Sequence, residues 1–249
     1  MTRTQTIVLA GLLIGALVAA PIAATRSFGQ TDAPSDSGAA APPTGSATPS
    51  VASYKPPLRG APGGRVGGAS RGMVKADVPW PTVEPIAPAD HTGLTALAAP
   101  TLYFFVSSAV TWPTQLTISA PLQARPALEV TIPSPPSAGI YFVRLSDYRI
   151  RLDPGIVYTW SISVVVDPHA WSRNIVGSAT IERTADPGPA GGGAAALAEA
   201  GLWYDAIAAA AGTADRHAAL DSLLEQVGLN GAARFDRAGI AEPAAAATK

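Results

Sequence analysis

Proton-transfer chemistry or a metal site would have to be built from His91, His169 and His217, and these three histidines stand singly along the chain. No two of them share the helical or hairpin spacing that a tetrahedral metal needs. The absence of cysteine removes disulfides, thiol nucleophiles, zinc–thiolate sites and lipid attachment through an N-terminal cysteine. One run, Asp167-Pro168-His169-Ala170-Trp171-Ser172-Arg173, holds the acid, imidazole and hydroxyl of a hydrolytic triad. A triad needs those side chains to converge in space around an oxyanion site, and all three here share one short connection. Asp90-His91-Thr92-Gly93 reads as turn chemistry. Acids are dispersed, and charged residues make up only 14% of the chain, which leaves little from which to build a perturbed site. The expectation is a protein without catalysis, cofactor or metal.

What remains is binding chemistry. Trp171 beside Arg173 would make an aromatic tip. Leu202, Trp203 and Tyr204 form a second aromatic cluster, which would either face a partner or glue helices to the rest of the fold. Lys55, Arg59, Arg65, Arg71 and Lys75 place positive charges among glycines with no acid between the first and last. That pattern reads as a flexible basic arm for an anionic surface or partner. It is not a phosphate cradle, which needs a strand before the glycines and a helix after them. Trp80, Trp112 and Trp171 lie in loops where flat rings can stack on sugars. The formal net charge of −1 gives no field that would select nucleic acid.

The elements that must position these residues follow from composition. Glycine and proline, 24 each, are concentrated before residue 90 and around 186–193, so the foldable part is well short of the 249 residues. Residues 1–24 read as a secretory signal: Arg3, then an apolar run from Ile7 to Ala20, then small residues. That run, about 14 residues, is short of the roughly 20 that span a bilayer, so no stable span is expected after its removal. Residues 25–53 are Ser, Thr, Ala, Pro and Gly with too little apolar surface to fold, a disordered linker. Residues 54–99 are the basic arm and lead-in.

From residue 100 to 185 the signal is that of strands. Thr101–Ser107, Gln115–Ser119, Leu128–Ile132, Gly139–Leu145, Tyr148–Leu152, Val157–Val166 and Ile175–Arg183 are rich in aromatic and β-branched residues between turn signals. This suits an immunoglobulin- or fibronectin III-like antiparallel β-sandwich. Within Leu152–Ile162, the turn Asp153-Pro154-Gly155 precedes alternating Tyr158, Trp160 and Ile162. Leu152, Pro154, Gly155, Tyr158 and Trp160 together predict a tyrosine corner, with the Tyr158 hydroxyl bonded to backbone a few residues upstream. Residues 186–193 are a hinge. Beyond them the period becomes helical over 194–229, two to three short helices, with Leu220, Leu223, Leu224 and Val227 on one stripe. Residues 230–249 are expected to be a flexible tail.

The stretches YKPPLRGAPGGRVGGASRG, PTLYFFVS, LDPGIVYTWSISVVVDPHAWSRNIVGSATIER and AEAGLWYDAI followed by LLEQVGL, in this order over roughly 54–229, resemble the DUF928 family. The resemblance implies an exported bacterial domain of unknown function and transfers no catalytic residues. The chain departs from that family's pattern in its first C-terminal helix, which is thin in large apolar residues. The functional expectation is a periplasmic or extracellular interaction module of the cell envelope with a protein partner. Its alternative is a carbohydrate- or cell-wall-binding domain using the loop tryptophans.

Overall fold

Alternating aromatic and β-branched residues between prolines do become strands in the computed structural model, which describes residues 52–57, 63–68, 80–189, 191–213, 216–237 and 244–245. The strands are β1 Val83–Pro85, β2 Gly93–Thr95, β3 Thr101–Val106, β4 Thr114–Ser119, β5 Leu128–Ile132, β6 Gly139–Arg144, β7 Val157–Val164, β8 Ile175–Arg183 and β9 Ala244–Ala245. They form two sheets, ordered β1-β3-β6-β9 and β2-β8-β7-β4-β5. Most pairs are antiparallel; β2 runs parallel to β8, and β9 parallel to β6. The expected signal and most of the linker, with Arg59, Arg71 and Lys75, lie outside the described residues.

Alternation decides what each strand buries. Along β7, Tyr158, Trp160, Ile162 and Val164 are buried, and opposite them lie Leu116 and Ile118 of β4 and Ile175, Ala179 and Ile181 of β8. These faces meet Leu102, Phe104, Tyr141 and Val143 of the other sheet in one core. β3 is buried on both faces, because Phe105 on its other side meets Phe235 with ring centres 5.4 Å apart. Trp160 is fully buried.

The tyrosine corner forms as its residues require. Gly155 sits at φ 73°, a left-handed conformation that a side chain disfavours. The Asp153 backbone N–H donates to the Tyr158 hydroxyl at 3.3 Å, and the Gly155 N–H donates to the Arg183 carbonyl at 2.8 Å. Leu152 is buried beneath, its N–H donating to the Ala98 carbonyl at 2.7 Å.

Three expectations need correction. Tyr148–Leu152 is not a strand: Leu145–Tyr148 is a turn of 3-10 helix, and Arg149 is left-handed at φ 57°. The connection must bend here to carry the chain from one sheet to the other, and its alternation records one-sided burial without strand pairing. The sandwich also begins before residue 100. β1 and β2 are three residues each, too short to show a period. Finally, part of the expected tail is helix: Asn230–Arg237 packs Ala232 and Ala233 into the core.

The helical part comprises α1 Ala194–Glu199, α2 Trp203–Ala211, α3 Arg216–Gln226 and α4 Asn230–Arg237. α1 and α3 end in the same backbone motif, with Leu202 N–H reaching the Leu197 carbonyl and Leu229 N–H the Leu224 carbonyl. Leu220, Leu223, Leu224 and Val227 are all buried, as their spacing predicts. No helix of the described residues is long and apolar enough to cross a membrane.

Trp160→Ala should cost about 3–5 kcal/mol, since it empties the centre of the core. Tyr158→Phe should cost only about 0.5–1.5 kcal/mol, the worth of one hydrogen bond. Denaturant titration of both variants measures the ranking, and equal losses would refute it.

Candidate functional site

The sequence offered three surfaces, and the structure sorts them by burial. Leu202, Trp203 and Tyr204 are not a surface: they are 3%, 0% and 1% exposed. Entering the sandwich edge at the start of α2, they fix the helices to the sheets. The Trp203 indole N–H donates to the Ile86 carbonyl at 3.0 Å. The Tyr204 hydroxyl accepts from the Trp160 indole N–H at 2.9 Å and donates to the Thr180 carbonyl at 3.0 Å. Asp205, next in sequence, accepts from the Thr95 hydroxyl at 2.6 Å and the Ala96 N–H at 2.7 Å. These residues therefore cannot face a partner.

The described parts of the basic arm are not free either. Gly68 and Val83 exchange backbone hydrogen bonds at 2.9 and 3.2 Å, and Val66 and Ser178 do so at 2.7 and 2.9 Å. Residues 63–68 thus bridge β1, at the edge of one sheet, and the stretch of β8 around Ser178 that the short β2, paired with Ile181–Arg183, does not reach. A side chain at Gly68 would lie 2.5 Å from the Val176 backbone, so the close approach demands glycine. The Arg65 guanidinium is buried and pairs with Glu84 at 3.4 Å. Burial lowers its pKa and the Glu84 charge works against that. Lys55 is exposed, but its backbone N–H donates to the Ala198 carbonyl at 3.1 Å.

A second constellation was missed by sequence reasoning. Tyr54 lies with its hydroxyl 2.8 Å from His91 Nε2, and His91 Nδ1 lies 2.7 Å from the Asp90 carboxylate. The Tyr54 ring stacks on His91 and meets Trp203 edge-on, and its backbone N–H donates to Gln226 at 2.7 Å. An acid, an imidazole and a hydroxyl in series suggest nucleophile activation. Burial, reinforced by the Asp90 charge, instead pushes the Tyr54 phenol well above its ordinary value, so it stays un-ionised. The arrangement latches the arm onto the fold. No local signal announced it, because Tyr54 is 37 positions from His91.

The remaining surface is the connection 165–174 between β7 and β8. Trp171 is 69% exposed. Hydrogen bonds hold the loop that carries it. Asn174, buried, accepts from the N–H groups of Val166 and Asp167 at 3.0 and 3.2 Å. The Asp167 carboxylate accepts from the His169 backbone N–H at 2.9 Å and pairs with Arg173 at 3.3 Å. Asp167 is therefore a loop brace and not the orienter of a triad. Trp171 and Arg173 stand on a hydrogen-bonded loop, which lowers the cost of ordering that a partner would have to meet.

Strand direction places the other loop tryptophans at this same end. Thr114 pairs with Val164, and the Val165 N–H donates to the Pro113 carbonyl at 2.8 Å, which joins 107–113 to the base of the tip. Trp112 stacks on Trp80 at 4.9 Å with an interplanar angle of 16°, both half-buried. Among the described residues, no group of three histidine, aspartate or glutamate side chains could hold a metal ion.

Fold and site thus define a mainly β, two-sheet protein with a C-terminal helical part, held together by a buried Trp-Tyr-Asp insertion. The family model for Domain of Unknown Function (DUF928) matches residues 66–235, and the chain belongs to that family. No curated protein and no solved structure matches it.

Burial pushes the Asp205 carboxyl above its ordinary value of 3.8, against the lowering effect of the Thr95 and Ala96 hydrogen bonds. A carboxyl raised on folding binds its proton more tightly in the native state. Its contribution is therefore greatest below the ordinary value and is lost as pH rises through the raised one. The stability of the native chain relative to Asp205→Asn should shrink as pH rises from about 3.5 to 7. Thermal unfolding of both across that range checks it, and a constant difference would contradict it.

Proposed function

We propose that the protein is an exported accessory module of the cell envelope that acts by binding a protein partner through the tip at 165–174, without chemistry of its own. The observation that carries this reading is Trp171, 69% exposed on a loop held by the hydrogen bonds of Asn174 and Asp167. Exposed tryptophan on a pre-organised support, beside an arginine, is the composition of an interface hot spot. We further read the sandwich as immunoglobulin/fibronectin III-like. In support, β1-β3-β6 against β8-β7-β4-β5 follows the order A-B-E against G-F-C-C′, with Tyr158 at the start of the F-equivalent strand. In that scheme 165–174 is the F–G loop and 107–113 the B–C loop, the end at which variable domains bind.

A carbohydrate ligand is the second reading, favoured by the gathering of Trp80, Trp112 and Trp171 at one end. Trp80 and Trp112 stack on each other and pack against the core, which leaves the exposed Trp171 as the platform.

A photoreactive residue at position 171, activated in the native envelope, should give one discrete protein adduct. Retention of purified protein on isolated cell-wall polymer, lost in Trp171→Ala, would replace the protein partner by a sugar. Neither adduct nor retention would refute the tip as a binding surface.

A further inference from the structure

Where the end of α2 meets the outer face of the sheet containing β3 and β6, there is a groove of about 460 Å³. Antiparallel register builds its floor: Thr101 lies opposite Arg144, and Tyr103 opposite Phe142. Alternation puts these four side chains on one face of the sheet, the face from which Phe105 meets Phe235. The Tyr103 and Phe142 rings are 5.7 Å apart. Ala208 and Ala211 of α2 and Arg216 of α3 extend the lining.

The chemistry of this lining selects an occupant. The Arg144 guanidinium lies 4.5 Å from the Phe142 ring centre. A cation supported on a ring loses less freedom when it pairs than a free side chain does. Arg216 brings a second guanidinium, and Thr101 and Tyr103 bring hydroxyls. Burial raises the Tyr103 phenol and the Arg144 charge works against that, so the hydroxyl is un-ionised and lies within the field of that arginine. The last carbonyls of α2 are closed by the N–H groups of Gly212 and Thr213, so α2 adds alanine to the wall rather than bare carbonyl. Guanidinium and hydroxyl donors call for an anion, and the planar fork of arginine matches the two oxygens of a carboxylate. The alanines and the Tyr103 ring call for an apolar body behind that charge. The volume falls in the range of small-molecule sites, about 300–1,000 Å³.

We propose that this groove binds a small organic carboxylate with a short apolar body, its charge paired with Arg144 and its chain laid against Tyr103 and the alanines of α2. The site stands on its own observations and is independent of the Trp171 tip.

The test titrates hexanoate into the isotope-labelled full chain and follows backbone amides and arginine side chains by NMR. The amides of Tyr103, Phe142 and Gly212 and the Arg144 side-chain N–H should shift together and saturate, with a Kd of about 1 mM or tighter. Hexanamide, which keeps the shape and removes the charge, should bind at least about tenfold more weakly, as should hexanoate to Arg144→Gln. Arg144→Lys should also weaken binding, because an ammonium lacks the fork. Ala211→Leu, which fills the groove and leaves its charges in place, should abolish binding, with circular dichroism confirming that each variant is folded. No saturable shift up to about 20 mM hexanoate, or equal binding of hexanamide, would overturn the proposal. So would hexanoate binding that survives both Arg144→Gln and Ala211→Leu. Inorganic phosphate binding more tightly than hexanoate would overturn it too, by assigning the groove to a phosphate ligand. None of these failures bears on crosslinking at position 171.

Discussion

The Tyr204 hydroxyl sits between the Trp160 indole and the Thr180 carbonyl, so one side chain of α2 is bonded to two neighbouring strands of the sandwich. Trp203 and Asp205 on either side reach Ile86 and Thr95. α2 therefore begins inside the fold. Two aromatic rings of this size bury roughly 150–250 Å² each, worth on the order of 4–6 kcal/mol apiece as an upper bound. Four short helices, too short to stand alone, borrow their stability from this insertion.

The same insertion explains the arm. Trp203 forms one wall for Tyr54, and Ala198 and Gln226 hold the backbone around it, so the segment before the family-matched region closes over the helices. Residues 63–68 then cross between the two sheets, from β8 at Ser178 to β1 at Val83. Their glycines let the backbone approach, and the positive charge of Arg65 is consumed within the fold by Glu84. At the edge of β6, Ala244 and Ala245 pair with Tyr141 and Phe142.

Much of the framework was legible because it depends on local pattern. The alternation of Tyr158, Trp160 and Ile162, the Asp153-Pro154-Gly155 turn and the stripe from Leu220 to Val227 each carry their period within ten residues. What was illegible depends on distance. Nothing near Tyr204 says that its hydroxyl meets Trp160, 44 positions away, and a Leu-Trp-Tyr cluster reads alike on a surface or in a core. Tyr148, Ile150 and Leu152 alternate as a strand would, yet bury one side of a bent connection. Arginine among glycines looked like a free arm because sequence does not show Glu84 waiting beside Arg65. Trp171 alone of these aromatics could be placed outside, and only once its loop was seen to be braced from within.

The central claim is that sheets and helices share one core through Trp203, Tyr204 and Asp205. Native-state hydrogen exchange, comparing amides of α2 from Ala206 to Ala211 with those of β7, tests it most directly. The account predicts that both sets open with the same free energy, in the global unfolding of the protein. If α2 exchanges through a much cheaper local opening while β7 stays protected, the helices are an appendage and the account is wrong.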